Sequence, residues 1–375
     1  MPSTTLVGGV LAAALLLPGL AAPALAETAP EQGTVAFKWL SYRDWQPGLD
    51  RIKVSAPSVY VLAPLGSAWA LEGSVVSDSV SGASPRYHSA ISGASRLNEE
   101  RQAGDLKLSH YGEREAWSVG TAFSTEHDYT SRTVSGDYRW STEDNNRSWN
   151  IGAAYSSDTV GSSNDPSLSE PRRTWQFSAG VTQALSPVDL LQFNLGRSAG
   201  KGHYSDPYKF PDLRPDRRTQ TTALLRWNHH VAPLNATLRS GLRYYRDSYG
   251  VSATTLDASW VQPVSETLSL TPLLRYTSQR AARFYVDPVY SATLGEPFPP
   301  GYQSGQVVSA DQRLAGFGAL TGGLRLDWTF APKWTLDLSY QRYEQRGDWR
   351  IGGSGSPGLA PFSAAWWQLG LARNF

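Results

Sequence analysis

Apolar and polar residues trade places at every position along most of the chain. Trp334, Leu336, Leu338 and Tyr340 take one parity; Thr335, Asp337, Ser339 and Gln341 take the other. Leu324, Leu326, Trp328 and Phe330 likewise oppose Gly323, Arg325, Asp327 and Thr329, and Trp175, Phe177, Ala179 and Val181 oppose Gln176, Ser178, Gly180 and Thr182. A strand sends successive side chains to opposite faces, so each segment predicts a strand with one greasy and one polar face. Similar segments run over Leu268–Thr277 and Trp149–Ser156. Others centre near Phe37, Val54, Leu71, Leu108, Val119, Tyr138, Phe193, Leu225, Leu238 and Leu256. With the last residues of the chain, the count is about sixteen, an even number as bacterial membrane barrels require.

The connections sort by length. Numbered in order, the even ones are short: Ala63 to Gly66, Tyr111 to Arg114, Glu143 to Arg147, Leu185 to Asp189, Val231 to Asn235, Gln262 to Glu266 and Ala331 to Lys333. Several carry Pro, which cannot continue a ladder. The long ones are all odd: Val80 to Ala103, Gly161 to Pro171, Gly202 to Asp216, Arg280 to Gln312 and Gly347 to Phe362. Sorting of this kind predicts an all-β, transmembrane, antiparallel up-and-down barrel with short periplasmic turns and long extracellular loops. A soluble sandwich has no reason to sort its loops so. Trp and Tyr near strand ends, among them Trp39, Trp69, Trp117, Trp140, Trp149, Trp328, Trp334, Trp366 and Trp367, fit the headgroup levels of a membrane.

The carboxyl terminus adds a signal. Phe375, Leu371, Leu369 and Trp367 share one parity, and Asn374, Ala372, Gly370 and Gln368 the other. This ending resembles the terminal strand by which bacterial outer-membrane barrels are read by the barrel-assembly machinery. Arg373 departs from it, because that place is usually apolar. At the other end, Leu6 to Leu20 is nearly all apolar, and Ala24-Leu25-Ala26 precedes Glu27. A small-x-small pattern after a hydrophobic stretch predicts a signal peptide over 1–26, with Ala24 and Ala26 as the small residues of a cleavage site before Glu27, and a barrel over 27–375. The segment lacks the usual Lys or Arg at its start.

Composition narrows the classes. The mean hydropathy of −0.37 looks soluble, as it must when each strand is half polar. The absence of cysteine removes disulfides and thiolate metal sites. A net charge of +1 gives no case for nucleic acid. No cofactor motif is present.

Several stretches resemble an uncharacterised bacterial family of outer-membrane proteins, known only as a domain of unknown function. They include Lys38-Trp39-Leu40-Ser41-Tyr42-Arg43-Asp44-Trp45-Gln46-Pro47-Gly48, Ser124 to Tyr129, Ser205-Asp206-Pro207-Tyr208-Lys209 and Arg214 to Arg218. Arg243 to Asp247, Arg275-Tyr276, Gln279 with Phe284-Tyr285, and Ser309 to Arg313 complete the set. The resemblance implies a bacterial outer-membrane location and a barrel, and no activity.

These stretches gather at the expected outer ends of strands. Parity predicts a lumen-facing charged ring at the outer mouth from Glu126, Asp128, Arg218, Arg243, Asp247, Gln279, Asp311 and Arg313, with Asp311 and Arg313 sharing the parity of Arg325. Such a ring either braces the wall and pins loops or selects ions and solutes. Deeper in the lumen, Arg226, Arg239, Arg275 and Arg325 predict a basic wall. It favours small anionic solutes unless Asp257, Asp327 and Asp337 neutralise it. His229 and His230 are adjacent and so face opposite ways, which argues against joint chelation. The connection from Arg280 to Gln312, rich in Phe, Tyr and Pro, is expected to fold over or into the mouth.

The expected function is a pore for small polar or anionic solutes, with outer-membrane lipid and the assembly machinery as partners. A surface receptor or scaffold acting through its loops is the alternative. A hydrolase ranks third, because no triad signature is evident and Ser124 and His127 differ in parity.

Overall fold

A computed structural model describes residues 28–83, 96–163, 165–209, 211–287 and 301–375. The expected signal peptide, with Ala24 and Ala26, lies outside these residues. Numbered along the chain, the wall strands are β1 (Thr34–Gln46), β2 (Leu49–Leu65), β3 (Trp69–Ala83), β4 (Arg96–Tyr111), β5 (Glu115–Thr125), β6 (Tyr129–Ser141), β7 (Arg147–Gly161), β8 (Ser169–Ser186), β9 (Asp189–Gly202), β11 (Arg217–Val231), β12 (Ala236–Asp247), β13 (Ser252–Pro263), β14 (Leu268–Arg280), β16 (Phe317–Ala331), β17 (Trp334–Arg346) and β18 (Phe362–Asn374). Two short strands, β10 (Asp212–Leu213) and β15 (Val308–Ser309), pair with each other outside the wall.

Among the described residues, sixteen strands pair antiparallel with their neighbours and form a closed ring. The seam joins β1 to β18 from Thr34 opposite Asn374 to Trp45 opposite Ser363. Closure leaves no strand edge, which a membrane would punish because lipid offers no hydrogen bonds. The seam extends past the strands: Gly33 N–H donates to the Phe375 carbonyl at 3.1 Å, and Phe375 N–H to that of Gly33 at 3.0 Å. A side chain at Gly33 would run into the Phe375 ring.

Alternation decides the faces. Val35, Phe37 and Trp39 on β1, Leu324 and Trp328 on β16 and Trp367 on β18 are exposed on the outside, where lipid would cover them. Leu369 and Leu371 share the parity of Trp367. Arg373 lies 5.4 Å over the Trp334 ring on the same face. Its stem and charge thus meet an aromatic at the strand end, where a polar tip reaches headgroups. Trp366, taken by sequence for the outer face with Trp367, points inward instead, because neighbours in a strand cannot share a face. It packs on Tyr42 at 6.3 Å, beside a buried lumen-side cluster of Leu40, Ile52, Val54, Ala56 and Val76. Inward side chains are therefore not uniformly polar.

The connections β2–β3, β4–β5, β6–β7, β8–β9, β11–β12, β13–β14 and β16–β17 gather at one end and are short. There Trp69 packs on His110 at 4.7 Å and Trp117 at 5.3 Å, and Trp140 on Trp149 at 5.6 Å. Pro64 and Pro263 sit within the last pairs of their ladders rather than beyond them. The opposite end carries 347–361 and the described parts of 162–168, 203–216 and 281–316, and these determine what the described barrel mouth looks like.

Candidate functional site

The 203–216 and 281–316 loops are knitted together over the long-loop end. β10 and β15 make a two-stranded ribbon between them. Around it, Ala310 N–H donates to Pro211 at 3.1 Å and Ala282 N–H to Leu314 at 2.8 Å. Arg214 donates to Asp212 through Nε at 2.7 Å and to Asp311 at 2.6 Å. Arg313 donates to Asp311 through Nε at 2.8 Å and to Asp206 at 2.6 Å. Asp311 also caps the short 3-10 turn Gln312–Leu314, accepting from the backbone N–H of Arg313. Asp311 and Arg313 were expected on the strand of Arg325. They lie instead on this turn ahead of β16, because the strand begins only at Phe317.

Burial makes this cluster electrostatically stiff. Asp311 is fully buried. Burial alone would raise its pKa, but the Arg313 and Arg214 guanidiniums overcome that and hold its carboxyl well below the usual range. Asp212 goes the other way: burial raises it to about 6, and Arg214 offsets this only in part. Burial pushes the Lys209 ammonium down to about 8, with the cations Arg313 and Arg51 adding to the fall and Asp311 and Asp206 opposing it.

The influence of Arg51 is informative. Arg51 stands on β2, whereas the loop carrying Lys209 is rooted on β9 and β11, half the ring away. That loop therefore reaches across the mouth. Further ties hold it down. Tyr208 donates its hydroxyl to Asp128 and accepts from Ser163 N–H at 2.6 Å. Arg172, paired with Asp158 at 2.9 Å, lies over the Tyr204 ring. Tyr249, Val251, Ala282 and Leu314 form an apolar cluster with Tyr204, Tyr245, Phe284 and Tyr285 packed on it. The described part of the 281–316 loop thus folds over the mouth; Tyr290, Phe298 and their Pro neighbours lie outside the described residues.

The other expected ring members split into groups. Arg218 pairs with Asp247 at 2.7 Å and stacks over Tyr249 at 4.8 Å, while Asp247 accepts the N–H groups of Tyr249 and Val251. This pair braces the mouth. Gln279 faces the lumen and donates to the Arg313 and Ala315 carbonyls at 2.9 Å each, tying down a loop root. Glu126 and Asp128 sit on the turn after β5, not on the strand.

Below the loops the inward arginines behave differently. Arg325 is paired with Asp327 at 2.5 Å and lies 4.0 Å from Asp337, which also takes Lys38 at 3.6 Å. Arg226, Arg239, Arg243 and Arg275 are exposed to the lumen, with no carboxylate among the described residues within ion-pair distance. Arg275 and Arg226 stand close enough to Arg243 to repel it, and Asp257, opposite Arg275 in register, attracts it. Registers place Arg226, Arg239 and Arg243 on the adjacent strands β11 and β12, with β13 between them and Arg275.

Parity could find the strand-borne members of these groups. It could not find Asp206, Lys209, Asp212 and Arg214, which are loop residues without a period. The only signal for Asp206, Lys209 and Arg214 was their place in the family-like stretches, and Asp212 lies outside those stretches. His229 and His230 do face apart: His229 bonds Asp189 at 2.8 Å, and His230 meets Thr237 at 3.4 Å.

These features belong to an outer-membrane kind of β-barrel. The chain belongs to the family described as protein of unknown function DUF3570, whose pattern it matches over residues 87–169 and 162–366. No curated protein matches it in sequence. Among solved structures, CdiB from Acinetobacter baumannii is similar in fold, with TM-score 0.52 and 8% identity over 90% of this chain and 60% of that one. The siderophore receptor PirA from Pseudomonas aeruginosa gives TM-score 0.45 and 11% identity over 85% and 57%. A bacterial polysaccharide outer membrane secretin gives 0.47 and 9% over 92% and 98%. The chain spans less than two thirds of PirA and of CdiB.

Proposed function

We propose that the protein is a lidded outer-membrane pore for small anionic solutes. In this reading the long loops face outward, the short turns face the periplasm, and a leader ending at Ala26 directs export. The observation that carries the reading is the group of Arg226, Arg239, Arg243 and Arg275, exposed to the lumen without ion-pair partners among the described residues. A charged side chain kept unpaired needs water around it, and a ring or wall of one sign selects the opposite ion. A wall of sixteen strands encloses a width that side chains alone do not fill. The lid sets the open fraction and the arginines set the preference.

Single-channel recording of the refolded barrel under a salt gradient tests this. Wild type should give rare openings with an anion-selective reversal potential, and changing the four arginines to Gln should move that potential toward cation preference. Cation preference in the wild type, unmoved by the changes, overturns the reading. The interlocked loops favour a second reading, a surface receptor. It predicts no conductance even after the loops are loosened.

A further inference from the structure

The outer, lipid-facing wall holds a feature that the lumen does not explain. Arg132 on β6 lies opposite Ser157, Ser157 opposite Arg173 on β8, Arg173 opposite Lys201 on β9, and Lys201 opposite Arg217 on β11. Four cations thus stand in one lateral row across five neighbouring strands, near the long-loop end. Arg132, Arg173, Lys201 and Arg217 are all exposed, and none forms an ion pair with a described residue. Their parity is that of Val134, Trp175, Phe177 and Leu195, which are exposed at 45–57% and so face outward. Arg197 and Arg246 lie two outward positions toward the barrel middle, either side of Thr221.

Like charges set directly opposite in a sheet repel and destabilise it. Along this face of β6 to β9 and β11, the single carboxylate among the described residues is Asp189, at the far end beside Trp227 and His229. The row is therefore uncompensated by the described residues. Immediately below it, Tyr155 packs on Trp175 at 4.8 Å, tilted by 48°, and Trp175 stacks on Phe177 at 6.2 Å, giving an aromatic shelf. Cations above and rings below match a molecule with anionic head and apolar body.

We infer that this row binds the phosphate groups of a membrane lipid, whose acyl chains lie along Trp175 and Phe177. Guanidiniums meet phosphate oxygens two at a time, and a phosphate between Arg173, Lys201 and Arg217 would turn mutual repulsion into shared attraction. The inference rests on the chain spanning a membrane and not on what passes its lumen.

The test uses the full barrel in uncharged detergent and native mass spectrometry. One probe is a bis-phosphorylated, acylated glucosamine disaccharide; the other is the same lipid without phosphates. The phosphorylated lipid should be retained and the other lost. Each basic side chain near an anionic headgroup is worth about fivefold, so Arg173→Gln, Lys201→Gln and Arg217→Gln together should weaken retention by on the order of a hundredfold. Conductance should not change. Equal retention of the two lipids by the wild type overturns the inference without any variant, as does unchanged retention in the triple variant. Displacement of the lipid by millimolar inorganic phosphate would assign the row to free anions instead.

Discussion

Asp311→Asn removes one negative charge from the centre of the loop lock and almost no volume. The carboxylate accepts from Arg313 Nε at 2.8 Å, from the Arg313 backbone N–H at 3.0 Å and from Arg214 at 2.6 Å, and it is fully buried. Breaking a buried pair by neutralising one partner costs about 3–5 kcal/mol, because the other charge stays desolvated. Asp212 and Asp206 still hold Arg214 and Arg313, so the lower end applies. About 3 kcal/mol raises the population of opened loops by roughly a hundredfold. The wall is untouched, since its ladders do not involve Asp311, and the heat-modifiable folded fraction should match the wild type. Trypsin reads the lid directly, because Lys209 and Arg313 are its own cleavage sites. Cleavage tracks the open population when reclosing is fast. The variant should be cut in the loops about two orders of magnitude faster, and its pore should open more often. Loop cleavage within about threefold of wild type, together with unchanged conductance, would refute the claim that this cluster holds the lid shut.

Three further outcomes follow from the same structure. Lys209 titrates at about 8 in the closed lid against 10.5 for an ordinary lysine. The closed form therefore binds fewer protons between those values and gains stability as pH rises through that window, by up to about 1.4 kcal/mol per unit. Proteinase K cleavage of the loops should slow over pH 8 to 10, and Lys209→Met should flatten the trend; a parallel trend in both proteins counts against it. Deleting Phe375 removes the two hydrogen bonds to Gly33 and the ring at the seam, and should lower the folded fraction in the outer membrane, as assayed by heat-modifiability. An epitope at Ser162-Ser163 or Gly353-Ser354 should be labelled on intact cells, and one at Asn145 or Pro233 should not; labelling at Asn145 reverses the orientation.

The wall was legible because a period of two is a local property. Lipid outside and water inside impose opposite preferences on neighbouring residues, so each strand announces its faces without its partners. Trp366 and the Leu40 to Val76 cluster mark the limit: alternation assumes that every inward position is wet, and these lie covered. The lock was not legible. Asp311 and Arg313 fit a strand pattern by chance of parity, while their real position depends on where β16 begins. Asp206, Asp212 and Arg214 meet Asp311 and Arg313 only through long loops, and no spacing records that.

The two sets of charges also separate two physical regimes in one barrel. In the lid, Asp206, Asp212 and Asp311 interleave with Arg214 and Arg313, with Lys209 beside them, because a desolvated charge without a partner costs several kcal/mol. Deeper in the lumen, Arg226, Arg239, Arg243 and Arg275 stand without such partners among the described residues. That arrangement persists only where water solvates each guanidinium. The described loop residues therefore close over a wet interior rather than fill it. A plug that reached down to β12 would bury those arginines and need carboxylates to meet them. Among the described loop residues, the acids nearest the lock, Asp206, Asp212 and Asp311, are already held by Arg214 and Arg313.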